Sequence, residues 1–285
     1  GGVTNSIVAD YAVVGGGQGN GTEGAQSVIG GGDENTIASG ATETVIGGGH
    51  LNSITGSSIG AVIGGGDTNS VAANFGFVGG GQTNSVGSSA LFSTVFAGLS
   101  NDIQSGSEYS VIAGGQTNSI ENSADWGSII GGSSNSIQSN YAVIGGGDSN
   151  SIQSGATHSF IGGGNNNIIQ SNDTYSVIGG GSTNAIDATH SVIGGGQDNE
   201  VSGNYSSIVG GQLNQINSGS AYATIFGGYN NTVSKNSSYA VIAGGKDNVA
   251  SGNYTFAAGL KAEAIHEGSF VWADASDIAL TTSAN

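Results

Sequence analysis

Residues 175–186 read Tyr175-Ser176-Val177-Ile178-Gly179-Gly180-Gly181-Ser182-Thr183-Asn184-Ala185-Ile186, and this stretch decides the fold. Its Gly-Gly-x-x-Asn centre recurs along the chain, with Asn at 5, 20, 35, 52, 69, 84, 101, 118, 135, 150, 167, 184, 199, 214, 231 and 248. Successive asparagines are 15 or 17 residues apart, never 16. A change of two keeps every side chain of a strand on its own face, and a change of one would flip them all. That parity speaks for β-structure and against a helical repeat.

Counting from each Asn gives columns. Position −6 is always Ile or Val, from Val14 and Ile29 to Ile242, and position +2 is Ile or Val except at Thr22 and Ala250. Position −8 is always small, and position −3 is Gly in every complete coil. These columns predict two short strands per coil, of the types 175–179 and 184–186, whose Ile/Val residues face each other across a thin core. Gly at −4 and −3 supplies the tight turn. The fold class is therefore all-β: a single-stacked parallel β-roll, or β-solenoid, with coils of 15 or 17 residues. The repeat array spans 1–254, and 255–285 read as atypical terminal coils, a cap or the transition to a further module. The Asn column, including Asn118, Asn135, Asn150, Asn167, Asn184 and Asn199, is expected to form an internal amide ladder at the turn.

The two strands differ on their outward side. After the Asn, the outward residues are polar, as in Ser119, Glu121, Ser136 and Gln138. Before it they are apolar: Val111, Val143, Val177, Val192 and Val241 stand at −7, and Tyr109, Trp126, Tyr141, Tyr175, Tyr205 and Tyr239 at −9. A strand apolar on both faces is expected to be buried on both, and a long apolar stripe marks an association surface. These eleven residues are the expected interface of an oligomer.

Composition narrows the function. The chain has 285 residues with net charge −17 and only 3 Lys+Arg, which argues against binding nucleic acid or an anionic lipid surface. Cys is absent, so disulfides, thiol catalysis and Cys-based metal sites are excluded. No apolar run approaches a membrane span. The four His lie apart from any Cys or local acidic cluster, and Asp is sporadic at −2, so neither a zinc site nor a regular calcium ladder is expected, nor any cofactor. The Gly-Gly-Gly runs recur in most coils and never reach Gly-Lys-Ser/Thr, which makes them turns rather than nucleotide loops. The chain opens Gly1-Gly2 without Met or a leader, as a fragment or processed product would.

The C-terminal segment carries a resemblance. Val249-Ala250-Ser251-Gly252-Asn253-Tyr254 follows the last Gly-Gly-x-x-Asn, and the chain then runs through Phe256-Ala257-Ala258-Gly259 to His266-Glu267-Gly268-Ser269-Phe270-Val271-Trp272-Ala273-Asp274. This resembles the head modules of trimeric autotransporter adhesins of the YadA type and the tail-fibre-type proteins of bacteria and phages that carry such heads. The resemblance implies a left-handed roll and a parallel homotrimer about the long axis. It departs from the adhesin-head repeat in its longer coils of 15 and 17 residues.

The expected function is a structural, receptor-binding fibre module and not an enzyme: a rigid trimeric rod binding a glycan or protein receptor. It would stand outside the cell, on a cell surface or on the tail fibre of a phage or injection particle. One alternative is a tailspike-like polysaccharide-processing enzyme with intersubunit carboxylates, against which the acids, such as Glu23, Glu43, Glu108, Asp125 and Asp173, are scattered over turns and loops. A lesser one is an ice-binding solenoid, which would want a regular Thr array that the mixed outward column lacks. At its spacing the aromatic column is expected to pack between chains rather than to bind sugars by stacking.

Overall fold

The computed structural model describes residues 1–274 and 280–281. Two compact units, 1–147 and 148–285, divide the chain, and the atypical coils beyond 255 belong to the second. Each unit is a parallel β-solenoid in which every coil contributes one strand to each of two sheets.

In the first unit, Val28–Ile29 pairs with Val45–Ile46, and Thr36–Ile37 pairs with Ser53–Ile54, all parallel and in register. In the second, Val177–Ile178 pairs with Val192–Ile193, and Ala185–Ile186 pairs with Glu200–Val201. Coils of 15 and 17 residues therefore pair column on column, with the length change absorbed in the turns. The core is a double file of Ile and Val from the two sheets, fully buried from Ile29 onward in the first unit and from Ile152 to Ile242 in the second.

The strands are shorter than the sequence pattern predicts. Strand one is Val177–Ile178 and strand two is Ala185–Ile186. Tyr175 and Asn184 lie outside them. Tyr175 has φ 57°, and every aromatic of the −9 column shares this left-handed conformation. The residue at −1, such as Thr183 with φ 57°, turns the chain a second time. Left-handed residues at −9 and −1 make the corners of the coil, and the strands are the straight pieces between them. Gly181 makes a third bend at φ 95°, where an added Cβ would collide with the Gly196 carbonyl oxygen and the Asn184 amide.

Two polar ladders hold the ends of the thin core. Asn184 Nδ2 donates to Asn167 Oδ1 at 3.0 Å, to Gly180 O at 3.0 Å and to Gly196 O at 3.0 Å. Its Oδ1 accepts from the backbone N–H and Nδ2 of Asn199, each at 3.1 Å. The same bonds link Asn118 to Asn101 and Asn135 to Asn118 in the first unit, and Asn167 to Asn150 in the second. These asparagines are buried, with their donors and acceptors used inside the protein as burial requires.

The second ladder is serine, and the sequence reading missed it by treating the −8 column as small filler. Ser176 Oγ donates to Ala188 O at 2.7 Å and accepts from Ser191 N at 3.3 Å. Ser191 and Ser206 repeat the arrangement. In the first unit Ser93 and Ser110 do the same. The choice of Ser over Ala in that column was the available signal.

Past Asn248 the pattern changes in kind. The Asn248 Oδ1 accepts from the backbone N–H of Ala262 at 2.9 Å, so Ala262 ends the amide ladder without leaving its last acceptor empty. The strands lengthen to Phe256–Leu260 and Phe270–Ala273, which pair in parallel, with the Phe256 and Phe270 rings stacked at 4.6 Å.

Candidate functional site: the outward face of strand one and the aromatic edge

The outward side of strand one carries a rule that the sequence reading did not extract. Wherever −7 is Val or Phe, −5 is Gly or Ala, as in Val143 with Gly145, Val177 with Gly179 and Val241 with Ala243. Wherever −7 is Ser or Thr, −5 is large and apolar: Thr94 with Phe96, Ser128 with Ile130, Ser207 with Val209, and Thr224 with Phe226. No coil from Asn20 to Asn248 breaks this exchange. The two positions share one surface: Phe77 at −7 and Phe96 at −5 of the next coil meet edge to face, with ring centroids at 6.1 Å. Phe96, Ile130, Val209 and Phe226 remain 55–61% exposed in the single chain. Val192 is exposed, and Val111, Val143, Val177 and Val241 are half-buried. A solvent-facing surface has no reason to conserve its volume, whereas a packed one does.

The aromatic column lies beside this face, at the corner preceding strand one. In the first unit the rings stack in the order Phe75, Phe92, Tyr109, Trp126 and Tyr141, with Tyr109–Trp126 at 4.4 Å and Trp126–Tyr141 at 6.3 Å. In the second, His158, Tyr175, His190, Tyr205, Tyr222, Tyr239 and Tyr254 form a file with spacings of 4.8–5.1 Å. Interplanar angles in that second file do not exceed 25°. Ring faces are therefore spent on neighbours within the chain. The exposed part of each stacked ring is then mainly its rim, which leaves little face for a sugar ring. The stacking also offsets the cost of holding bulky residues in the left-handed region.

A change of coil length shapes the opposite turns. The 15-residue coil between Asn69 and Asn84 lies between two 17-residue coils. The shorter turn leaves a notch of about 410 Å³, lined by Thr55, Ser57, Asn74, Ser88 and Leu91 among others. Its walls combine hydroxyls and an amide with the apolar Ala72 and Leu91, and carry no charged group.

Among the described residues the acids meet at most in pairs, as Asp33 and Asp67 do at His50. Asp125 Oδ1 accepts from the backbone N–H of Glu108 at 2.9 Å, so it serves a turn. His50 bridges successive coils, with Nδ1 at 2.8 Å from Asp67 Oδ1, and this bond holds the Asp67 carboxyl below its ordinary range. Among the described residues no group of three or more His, Cys, Asp or Glu is arranged to hold a metal ion. No helix among them is long and apolar enough to cross a membrane.

Asp173 stands apart. It occupies a buried corner column that holds Ala156 and Ala188 in the adjacent coils. Burial, reinforced by the charge of Asp187, pushes its carboxyl up to about 6. Its Oδ2 has no partner as a carboxylate. At the same column Ser107 Oγ donates to Glu121 O, so a protonated Asp173 can play the part of that serine. Because its folded value is raised, the stability linked to Asp173 is present below its unfolded value near 3.8 and is lost as pH rises through about 6. The expected loss is on the order of 2 kcal/mol. Melting curves of the wild type and of Asp173→Ser between pH 4 and pH 8 check it: the wild type falls relative to the variant as pH rises. Parallel curves would show that Asp173 is not the linked group.

No protein-family model matches this sequence, and no curated protein aligns with it significantly. The all-parallel solenoid is thus established by geometry. The likeness of the 249–274 segment to adhesin heads rests on its own residues.

Proposed function

We propose that this chain is a structural attachment module. Copies of it associate through the outward face of strand one into a parallel homotrimer, and the resulting rod presents its turns and tip to a surface receptor. The single observation that carries this reading is the exchange between −7 and −5, which keeps one large apolar side chain per coil on a face that a lone chain leaves open. A threefold parallel arrangement, with equivalent coils meeting near a common axis, would bury that face along its whole length. The left-handed coil and the trimer are also what the adhesin-head resemblance implies.

The role is non-enzymatic in this reading. The notch at 55–91 supplies neutral hydroxyls and an amide, and the outward polar face adds hydroxyls, amides and carboxylates such as Glu121, a surface suited to a glycan or protein receptor outside the cell. Light scattering is expected to give a mass near three times the 27.6 kDa chain, unchanged at high salt because burial rather than ion pairing holds the contact. A folded monomer of 27.6 kDa would end this reading. Incubation with capsule or surface glycans is expected to retain polymer on the protein without releasing reducing ends, and steady release would favour a polysaccharide-processing spike.

A further inference from the structure

Four of the seven rings in the second unit's aromatic file are consecutive tyrosines. Tyr205 and Tyr222 stack at 5.1 Å and 9°, Tyr222 and Tyr239 at 5.1 Å and 7°, and Tyr239 and Tyr254 at 5.0 Å and 4°. In the single chain each ring is about half exposed, and the column lies beside the −7/−5 face that the proposed trimer would bury rather than on it, so an oxidant in solution can reach the ring edges. The first unit provides an internal contrast, because its file places Trp126 between Tyr109 and Tyr141. Tyr175 likewise stacks on His158 and His190.

We propose that the run Tyr205–Tyr222–Tyr239–Tyr254 is a site of oxidative cross-linking, at which dityrosine bonds join successive coils of one chain. The co-reactant is a one-electron oxidant of the haem-peroxidase type, supplied with hydrogen peroxide. Each of two neighbouring phenols gives up one electron and its hydroxyl proton. The unpaired spin of each phenoxyl radical spreads to the ring carbons ortho to the oxygen, the Cε positions. Two such carbons combine to form one Cε–Cε bond. The two ortho hydrogens then leave the ring carbons as protons, and protons return to the oxygens to restore both phenols. The pair has lost two electrons and two protons in all, and these reduce one hydrogen peroxide to two waters.

In-register stacking holds each phenol beside its reaction partner before oxidation, replacing a random encounter by a positioned one. These corner residues, at φ 57–59°, are exposed and stand outside the buried Ile/Val file, so a movement of the rings toward bonding distance need not displace that file. The bonds would close loops of 15 or 17 residues between coils. In a chain without Cys, they are a covalent restraint of the kind that disulfides give elsewhere.

The test treats the assembled protein with a haem peroxidase and limiting hydrogen peroxide. It reads blue dityrosine fluorescence, the mass on denaturing electrophoresis, and the cross-linked peptides after proteolysis. The expected product keeps the mass of one chain, joins neighbouring members of the run, and melts at a higher temperature than untreated protein. The double variant Tyr222→Phe/Tyr239→Phe keeps every ring of the stack and, with an unchanged circular dichroism spectrum, is expected to lose most of the fluorescence. Tyr175→Phe is expected to keep it. Absence of dityrosine in the wild type, bonds that join separate chains, bonds that map to Tyr109, Tyr141 or Tyr175, or undiminished coupling in the double variant would each overturn the proposal.

Discussion

Ile178→Asp is expected to unfold the coils around it, at a cost of at least about 4 kcal/mol. Ile178 is fully buried and lies between Ile161 and Ile193 in the file of strand one. The substitution removes the branched side chain and puts a carboxyl in a place where the neighbours are hydrocarbon. The carboxyl must either stay neutral or draw water into the core, and both cost stability. Because the core is only two files thick, no second layer takes up the strain. The outward control needs care. Ser136 Oγ donates to Glu121 at 2.8 Å, so an Asp there would face a second carboxylate, and Ser136 is not the silent position that its outward parity suggests. Ser70, flanked in register by Ser53 and Ser85, is the better choice, and Ser70→Asp is expected to cost less than about 0.5 kcal/mol. Chemical denaturation of the two variants measures the difference. Equal losses would mean that inside and outside have been exchanged.

Replacing Val143, Val177 and Val192 together by Lys is expected to dissociate the proposed trimer or to prevent its folding. All three stand at −7 opposite a Gly at −5, so each is the single large residue of its coil on that face. Three chains meeting about an axis would bring nine ammonium groups into a desolvated seam with no carboxylate column to receive them, a penalty of several kcal/mol per unpaired group. On an isolated chain the same change would improve solubility and leave the inner core alone. Sedimentation therefore separates the cases: loss of the trimeric species supports the interface, and an unaltered assembly would place it elsewhere. A second substitution uses the exchange rule. Thr94→Val with Phe96→Gly restores the commoner pattern at one coil and is expected to leave the assembly intact, where Phe96→Gly alone weakens it.

Much of this architecture was legible in the sequence because a parallel solenoid writes its structure in columns. The 15-or-17 parity required strands, and the Ile/Val columns at −6 and +2 named the core residue by residue. Other features were not recognised, for identifiable reasons. Periodicity shows which side a residue faces but not where a strand stops, so the pattern extends strand one to Tyr175, whose φ of 57° puts it in a corner. A hydrophobicity column treats Ser and Ala alike, so the serine ladder through Ser176, Ser191 and Ser206 passed as filler. The exchange between Thr94 and Phe96 was present in the letters, but it appears only when two columns are read together. The bond between His50 and Asp67 joins residues 17 apart and required the stacking register.

The asparagine ladder has a direction. Each Nδ2 donates to the Oδ1 of the coil before it, so within each unit the side-chain amides point the same way, and each amide dipole lies in the field of its neighbours. Hydrogen-bonded amides in such a line polarise one another, strengthening each bond by ~10–30%. The effect is greatest mid-file and smallest at the ends. A coil in the middle is therefore held by more than its own contacts, and fraying is expected to start at the ends of the file. Within each unit the file is one-way in its electrostatics as well as in its chain trace, so two copies of a unit side by side are equivalent along their lengths only when both files point the same way.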